Sequence, residues 1–262
     1  MTSVTARALS LLAAFDSAHR SQTLSELARR SDLPLATAHR LVSELVEWGA
    51  LVRRDDGEYV VGRRLWSLGL LAPTQTGLRE LASPYLHDLY GATGATVHLA
   101  VLDGARALYL DRLAGHASVP VISEIGGRLP LHATGVGKVL LAHAPREIRA
   151  VALTRLTRHT RYTVTQPGVL GRQLERVRAD GVATTSEEMS LGACSVAVPV
   201  QAADQVIAAL GVVVPHLRQQ GRLVSALQVA ARGLAREADR VAAPPALPLS
   251  GSDGCHSART RA

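Results

Sequence analysis

A chain of 262 residues with 47% hydrophobic and 19% charged residues can build one large or two ordinary packed cores, which excludes general disorder. Its two cysteines, Cys194 and Cys255, are too few for a disulfide framework or a cysteine-based metal site, and no uncharged apolar run approaches the roughly 20 residues that a membrane helix needs. The net charge of +7 invites a nucleic-acid partner, but residues 1–64 hold nine arginines against eight acidic residues, so most of the excess lies elsewhere. Arg7 and Asp16 interrupt the N-terminal apolar stretch, so it lacks the core of a signal peptide and a cytoplasmic protein is expected.

Ala8, Leu11, Leu12 and Phe15 form a stripe that predicts a first helix over residues 5–18. Residues 23–48, TLSELARRSDLPLATAHRLVSELVEW, then read as two helices joined by a tight turn. Thr23 and Glu26 have the spacing of a capping box, and Pro34 suits the first turn of the second helix. Ala38, Leu41, Val42 and Leu45 fall at i, i+3, i+4 and i+7, while Thr37, His39, Arg40, Ser43, Glu44 and Glu47 occupy the opposite face. That pattern fits a helix-turn-helix or a plain helical hairpin. Gly49 is placed to end the second helix, and two β-prone runs around Asp55-Asp56-Gly57 then predict a hairpin. Three helices followed by a basic hairpin make a winged helix-turn-helix, with Arg53 and Arg54 on the first wing strand.

Residues 62–72 predict a short helix whose Leu65, Leu68 and Leu71 suit packing against another subunit, and a longer helix follows over 76–93. Runs at 96–102 and 106–113 flank Asp103-Gly104 as a second hairpin, and residues 119–122 read as a further short strand before Gly126-Gly127. Residues 131–138, LHATGVGK, lead into a helix ending near His143. After an arginine-rich connection come a helix over 166–180, strands over 195–200 and 206–214, and a long helix over 217–243. The Pro/Ser/Gly-rich remainder reads as a disordered tail. The expected class is α+β: a winged helix-turn-helix over 1–62, a linker helix over 63–74, and a domain over 75–243 with an antiparallel sheet flanked by helices, then the tail over 244–262.

Enzyme chemistry finds little support. Gly135-Val136-Gly137-Lys138 is similar to part of a phosphate loop, but His132 and Val139 stand where glycine and Ser or Thr are required. A glycine-rich helix start can still bind a carboxylate through its N–H groups, or its glycines can serve close packing. The histidines show no metal-binding spacing, and no nucleophile motif is present. Glu187 and Glu188 are neighbours on an extended chain, poorly placed as an acid/base couple, and a solvated turn is expected for them. No catalytic residue, metal site or cofactor is expected.

Taken in order, ARALSLLAAF, LPLATAHRLVSELVEWGAL with YVVGRRL, LPLHATGVGKVLLA, and EEMSLGACSVAVPV followed by VIAALGVVVP resemble the IclR family of bacterial transcriptional regulators over about residues 3–243. The resemblance implies a winged helix-turn-helix, a linker helix and an effector-binding domain related to GAF domains. It also implies dimers or tetramers that repress or activate operons, often catabolic ones, under an unidentified small-molecule effector. The family's effector positions fall on Gly135, Val136, Thr185, Ala193, Ser195, Gly211 and Val213. Here a family aspartate is Thr185, a frequent cysteine is Ser195, and two frequent serines are Gly211 and Val213, so an effector less acidic or more apolar than a short keto acid is expected.

The expected mechanism places two recognition helices of a homodimer, or of a dimer of dimers, in successive major-groove segments of a near-palindromic double-stranded operator. Effector binding would then change the relative disposition of the two DNA-binding domains through the linker helix. Thr37, His39 and Arg40 are assigned to base edges, with Leu35, Ala36 and Ser43 on the same DNA-facing surface. Thr23, Ser25, Arg53, Arg54 and Arg64 are assigned to phosphates. A rival reading is a small-molecule sensor that acts through protein partners and uses the winged helix as a protein-contact module. No membrane partner is expected.

Overall fold

A computed structural model describes residues 3–16, 18–71, 73–115, 119 and 122–242. The tail expected over 244–262 lies outside them. The chain forms two compact units that part between Gly77 and Leu78.

In the first unit, helix α1 (Val4–Ala13) starts at Ser3, whose hydroxyl accepts from the Ala6 N–H. It ends five residues short of the expectation. The Asp16 carboxylate accepts the N–H groups of Ala18 at 3.0 Å and His19 at 2.9 Å, which turns the chain instead of prolonging the helix. Strand β1 (Ser21–Gln22) follows, too short for its sequence to announce it. Helix α2 (Leu24–Arg30) carries the expected capping box: Thr23 Oγ1 accepts from the Glu26 N–H at 3.3 Å, and Glu26 Oε2 accepts from the Thr23 N–H at 2.8 Å. Helix α3 (Leu35–Trp48) has Pro34 at its N-cap, one place earlier than expected, and ends at Gly49 in the left-handed conformation. Strands β2 (Leu51–Arg53) and β3 (Tyr59–Val61) form the wing, and β1 pairs with β3 to give the order β1-β3-β2. Leu11, Leu27, Ala38, Leu41, Val42 and Leu51 fill the core, so the stripe of α3 is consumed by packing and its other face is left exposed. Helix α4 (Arg63–Gly69) buries none of its residues.

Helix α5 (Pro73–Thr93) precedes the second unit's sheet. Its strands are β4 (Thr96–Asp103), β5 (Arg106–Leu113), β6 (Arg128–Pro130), β7 (Ala183–Ser186), β8 (Cys194–Ala202) and β9 (Gln205–Val214). All six run antiparallel in the order β6-β5-β4-β9-β8-β7. Alternation along the strands sends Val97, Leu99, Val196, Val198, Leu210 and Val212 to one face, against α5 and helix α9 (Gln220–Ala242). Ala100, Tyr109, Ala197 and Ala209 go to the other face, against helices α6 (Gly135–His143) and α8 (Pro167–Asp180). The class is α+β with helices on both faces of an antiparallel sheet. Helix α7 (Arg146–Leu153) occupies the stretch expected to be a connection, although Ile148, Val151 and Ala152 have helical spacing. Strands β6 and β7 were also not anticipated. Of the strand expected over 119–122, residues 120 and 121 lie outside the described residues, and Val119 and Ile122 belong to no strand. Among the described residues, no helix is long and apolar enough to cross a membrane.

Candidate DNA-binding face and effector pocket

The solvent face of α3 presents Leu35, Ala36, His39, Arg40 and Ser43, all exposed, with Thr37 half-buried beside them. Arg40 is tied to Glu44, one turn on, at 2.8 Å, and the Ser43 hydroxyl donates to the His39 carbonyl at 2.9 Å. Ser25 and Thr23 are exposed at the start of α2, where the Thr23 hydroxyl is engaged in the cap and also donates to Glu26. On the wing, Arg53 lies 5.9 Å from the Tyr59 ring and Arg54 pairs with Asp56 at 3.4 Å; both guanidinium groups remain exposed. Arg64 has a local partner: its guanidinium stacks 4.4 Å from the Trp48 ring and donates to the Trp48 carbonyl at 3.0 Å. It therefore caps the end of α3, and the same contact holds its charge beside the recognition helix.

In the second unit, Gly135, Val136, Thr185, Ala193, Ser195, Gly211 and Val213 line one pocket of about 490 Å³, open mouth included. Sheet register brings them together. Thr185 faces Ser195 across β7 and β8, Ser195 faces Val213 across β8 and β9, and Gly211 faces Ala197. Thr185 and Ser195 join their hydroxyls at 2.6 Å. The start of α6 forms the opposite wall. Thr134 Oγ1 accepts from the Gly137 N–H at 3.2 Å and donates to the Pro130 carbonyl at 3.1 Å. The first-turn N–H groups of Gly135 and Val136 have no partner within the helix and stand at the pocket wall. Close approach is built in, since a Cβ on Gly137 would stand 2.6 Å from the Leu131 carbonyl oxygen.

Sequence reasoning missed His98, Tyr109, Ser123, Thr134, Met189 and Ser190, which also line the pocket. His98 was legible in principle, because Val97 and Leu99 face one core and the residue between them must face the other side. Its Nε2 lies 2.7 Å from Ser123 Oγ, and its ring meets Tyr109 edge-on at 5.0 Å. Burial drives its pKa down to about 3, and the Arg112 charge adds to the shift, so the imidazole is neutral. Burial also raises the Tyr109 pKa, against a hydrogen bond with Thr134, and keeps the phenol protonated. Among the described residues no lysine, arginine or carboxylate lines this pocket.

Behind the pocket wall, Lys138 of α6 is buried and donates to Glu188 Oε1 at 2.6 Å and to Gln173 Oε1 at 2.8 Å. Glu188 is thus a buried partner and does not sit on the solvated turn expected of it. Burial lowers the Lys138 pKa while Glu188 raises it. The hydroxyls of Thr160 and Thr163 donate to the Glu187 and Glu188 carbonyls. These bonds fix the segment that presents Met189, Ser190 and Ala193 to the pocket. Among the described residues no group of acidic, histidine or cysteine side chains could hold a metal ion.

Two family models match the chain: the IclR helix-turn-helix domain over residues 4–55, and the C-terminal domain of bacterial transcriptional regulator IclR over residues 71–240. The HTH-type transcriptional regulator BhcR of Paracoccus denitrificans is 35% identical over 221 residues, 82% of this chain and 78% of that protein. The transcriptional repressor IclR of Escherichia coli is 31% identical over 191 residues, covering 71% and 70% of the two chains. The crystal structure of an IclR homolog from Microbacterium hydrocarbonoxydans, complexed with 4-hydroxybenzoate, superposes with a TM-score of 0.87 at 36% identity. That match covers 91% of this chain and all (100%) of that one.

Proposed function

The chain belongs to the IclR family of bacterial transcriptional regulators, and from that premise we propose that its effector is a small aromatic monocarboxylate of the hydroxybenzoate kind. As a member it is a DNA-binding regulator controlled by a small molecule and not an enzyme. The observation that carries the proposal is the chemistry of the pocket. Val136, Val213, Met189, Ile122 and Leu129 supply apolar surface for a ring, and the helix-start N–H groups of Gly135 and Val136 suit one carboxylate. With no cationic side chain in the wall among the described residues, a second carboxylate has nothing to neutralise it. His98, Ser123 and Tyr109 are uncharged hydrogen-bonding groups that suit a phenolic hydroxyl. The 4-hydroxybenzoate held by the Microbacterium homolog has this chemistry.

On the DNA side, the assignment is Thr37, His39 and Arg40 to base edges, with Leu35, Ala36 and Ser43 beside them. Thr23, Ser25, Arg53, Arg54 and Arg64 go to phosphates. The near-neutral balance of residues 1–64 gives modest non-specific affinity, so specific binding rests on two copies reading a near-palindromic operator. Trp66, Leu68 and Leu71 on and just after α4 are exposed and apolar, a surface suited to a second copy of the chain. A protein that acts on chromosomal DNA works in the cytoplasm. Calorimetry with 4-hydroxybenzoate and pyruvate, both monocarboxylates, tests the effector class. Saturable binding of the hydroxybenzoate at least tenfold tighter than pyruvate is expected, and the reverse order would overturn the proposal.

A further inference from the structure

A second cavity shares a wall with the effector pocket: Leu129, Ala133 and Thr134 line the pocket, whereas Pro130, Leu131 and His132 from the same stretch line the other cavity. Among the described residues its charged and titratable lining consists of Arg106, His132, Arg155 and His159, with no carboxylate. His132 is 3% exposed; its Nε2 donates to the Thr157 carbonyl at 2.9 Å, and its ring lies against that of His159 at 5.7 Å between centroids. Among the described residues neither the Arg106 nor the Arg155 guanidinium, both exposed, makes a hydrogen bond or ion pair. The nearest acid along the sheet is Asp103, opposite Arg106 in register, and Arg128 occupies it at 2.6 Å.

Positive charge without a counter-ion is unfavourable unless solvent or an anion compensates it. A surface arginine alone means little, but two exposed arginines that line one concave space floored by the buried His132 offer the charge and the donors that an oxyanion takes. We infer that this cavity is a second ligand site, separate from the effector pocket, that takes a small doubly charged oxyanion held by Arg106 and Arg155 over His132. The charge pattern distinguishes the two sites. Among the described residues the effector pocket has no cationic side chain, and its one set of helix-start donors suits a single carboxylate on an apolar body. The second cavity has cationic side chains and suits a compact dianion. The shared chemistry of its ligand is the dianion, and a phosphoryl group or a dicarboxylate can supply it.

The test is calorimetric titration of the full chain with inorganic phosphate and, separately, succinate, at an ionic strength held constant with sodium chloride. The wild type is compared with Arg106→Gln/Arg155→Gln. Saturable binding of at least one dianion, weakened tenfold or more in the double variant at an unchanged melting temperature, is the expected result. The tighter of the two probes identifies the phosphoryl or the dicarboxylate source. Equal affinity in the two proteins, no saturable heat from either dianion, or displacement of the dianion by 4-hydroxybenzoate at a single shared site would overturn the inference. Failure of 4-hydroxybenzoate to bind at all leaves the dianion titrations readable, so the two proposals stand or fall separately.

Discussion

The Cγ1 of Val136 stands 2.7 Å from the point that a Cβ on Gly211 would occupy. The two residues meet in the wall of the effector pocket, one from the first turn of α6 and one from β9. The absence of a side chain at Gly211 leaves the space that Val136 fills from the helix. Gly211 is therefore more than a lost hydroxyl. Its missing side chain makes room for Val136, whose χ1 is held by the helix.

That pairing predicts non-additive substitutions. Gly211→Ser alone overpacks the wall and should cost about 1–3 kcal/mol, whereas Gly211→Ser combined with Val136→Ala should recover most of it. Thermal unfolding of the three proteins checks this. Equal losses in the single and double variants would contradict the coupling.

The buried Lys138–Glu188 pair is expected to be costly to break from one side. Glu188 Oε2 already lacks a partner, and Lys138→Met would leave the whole carboxylate uncompensated, costing about 3–5 kcal/mol. Adding Glu188→Gln removes the orphaned charge and should restore part of the loss. Urea unfolding of the single and double variants measures the difference.

His98 gives the pH dependence a sign. Its folded pKa of about 3 lies below the ordinary value of 6.5, so between those limits the unfolded chain binds a proton that the folded chain refuses. Stability from this group is complete above pH 6.5 and falls as the pH drops towards 3, by up to about tenfold in the unfolding constant per pH unit. His98→Gln, which keeps a partner for Ser123 and does not titrate, should flatten the wild-type decline. Identical pH profiles for the two proteins would exclude His98 as its source.

At the DNA face, Arg40 must leave Glu44 to grip a guanine, since the two are paired at 2.8 Å on an exposed surface. Arg40→Ala should cost about 1–3 kcal/mol of operator binding and relax one base position. Arg64→Ala should instead lower stability as well as affinity, because its guanidinium is bonded to the end of α3. Footprints and melting curves of the two variants separate these roles.

Much of this is legible in the sequence alone. Thr23 with Glu26, the stripe of α3, and Gly49 announced the helix-turn-helix because capping and periodicity are local signals. The strand pairs around Gly104 and 203–204 were legible for the same reason. What stayed hidden depends on distant partners. β1 has two residues and exists only through β3, and Glu188 reads as a solvent-facing acid until Lys138, fifty positions away in sequence, is brought beside it. The pocket positions came from family resemblance, and their volumes from the fold. No local pattern ties Gly211 to Val136.

The most direct test of the central claim is fluorescence anisotropy on DNA from upstream of the protein's own gene, with and without 4-hydroxybenzoate. The account predicts salt-sensitive binding well above that to unrelated DNA, weakened by Arg40→Ala and shifted severalfold by the hydroxybenzoate. Binding no tighter than to unrelated DNA, or an affinity that 4-hydroxybenzoate at saturating concentration leaves unchanged, would contradict it.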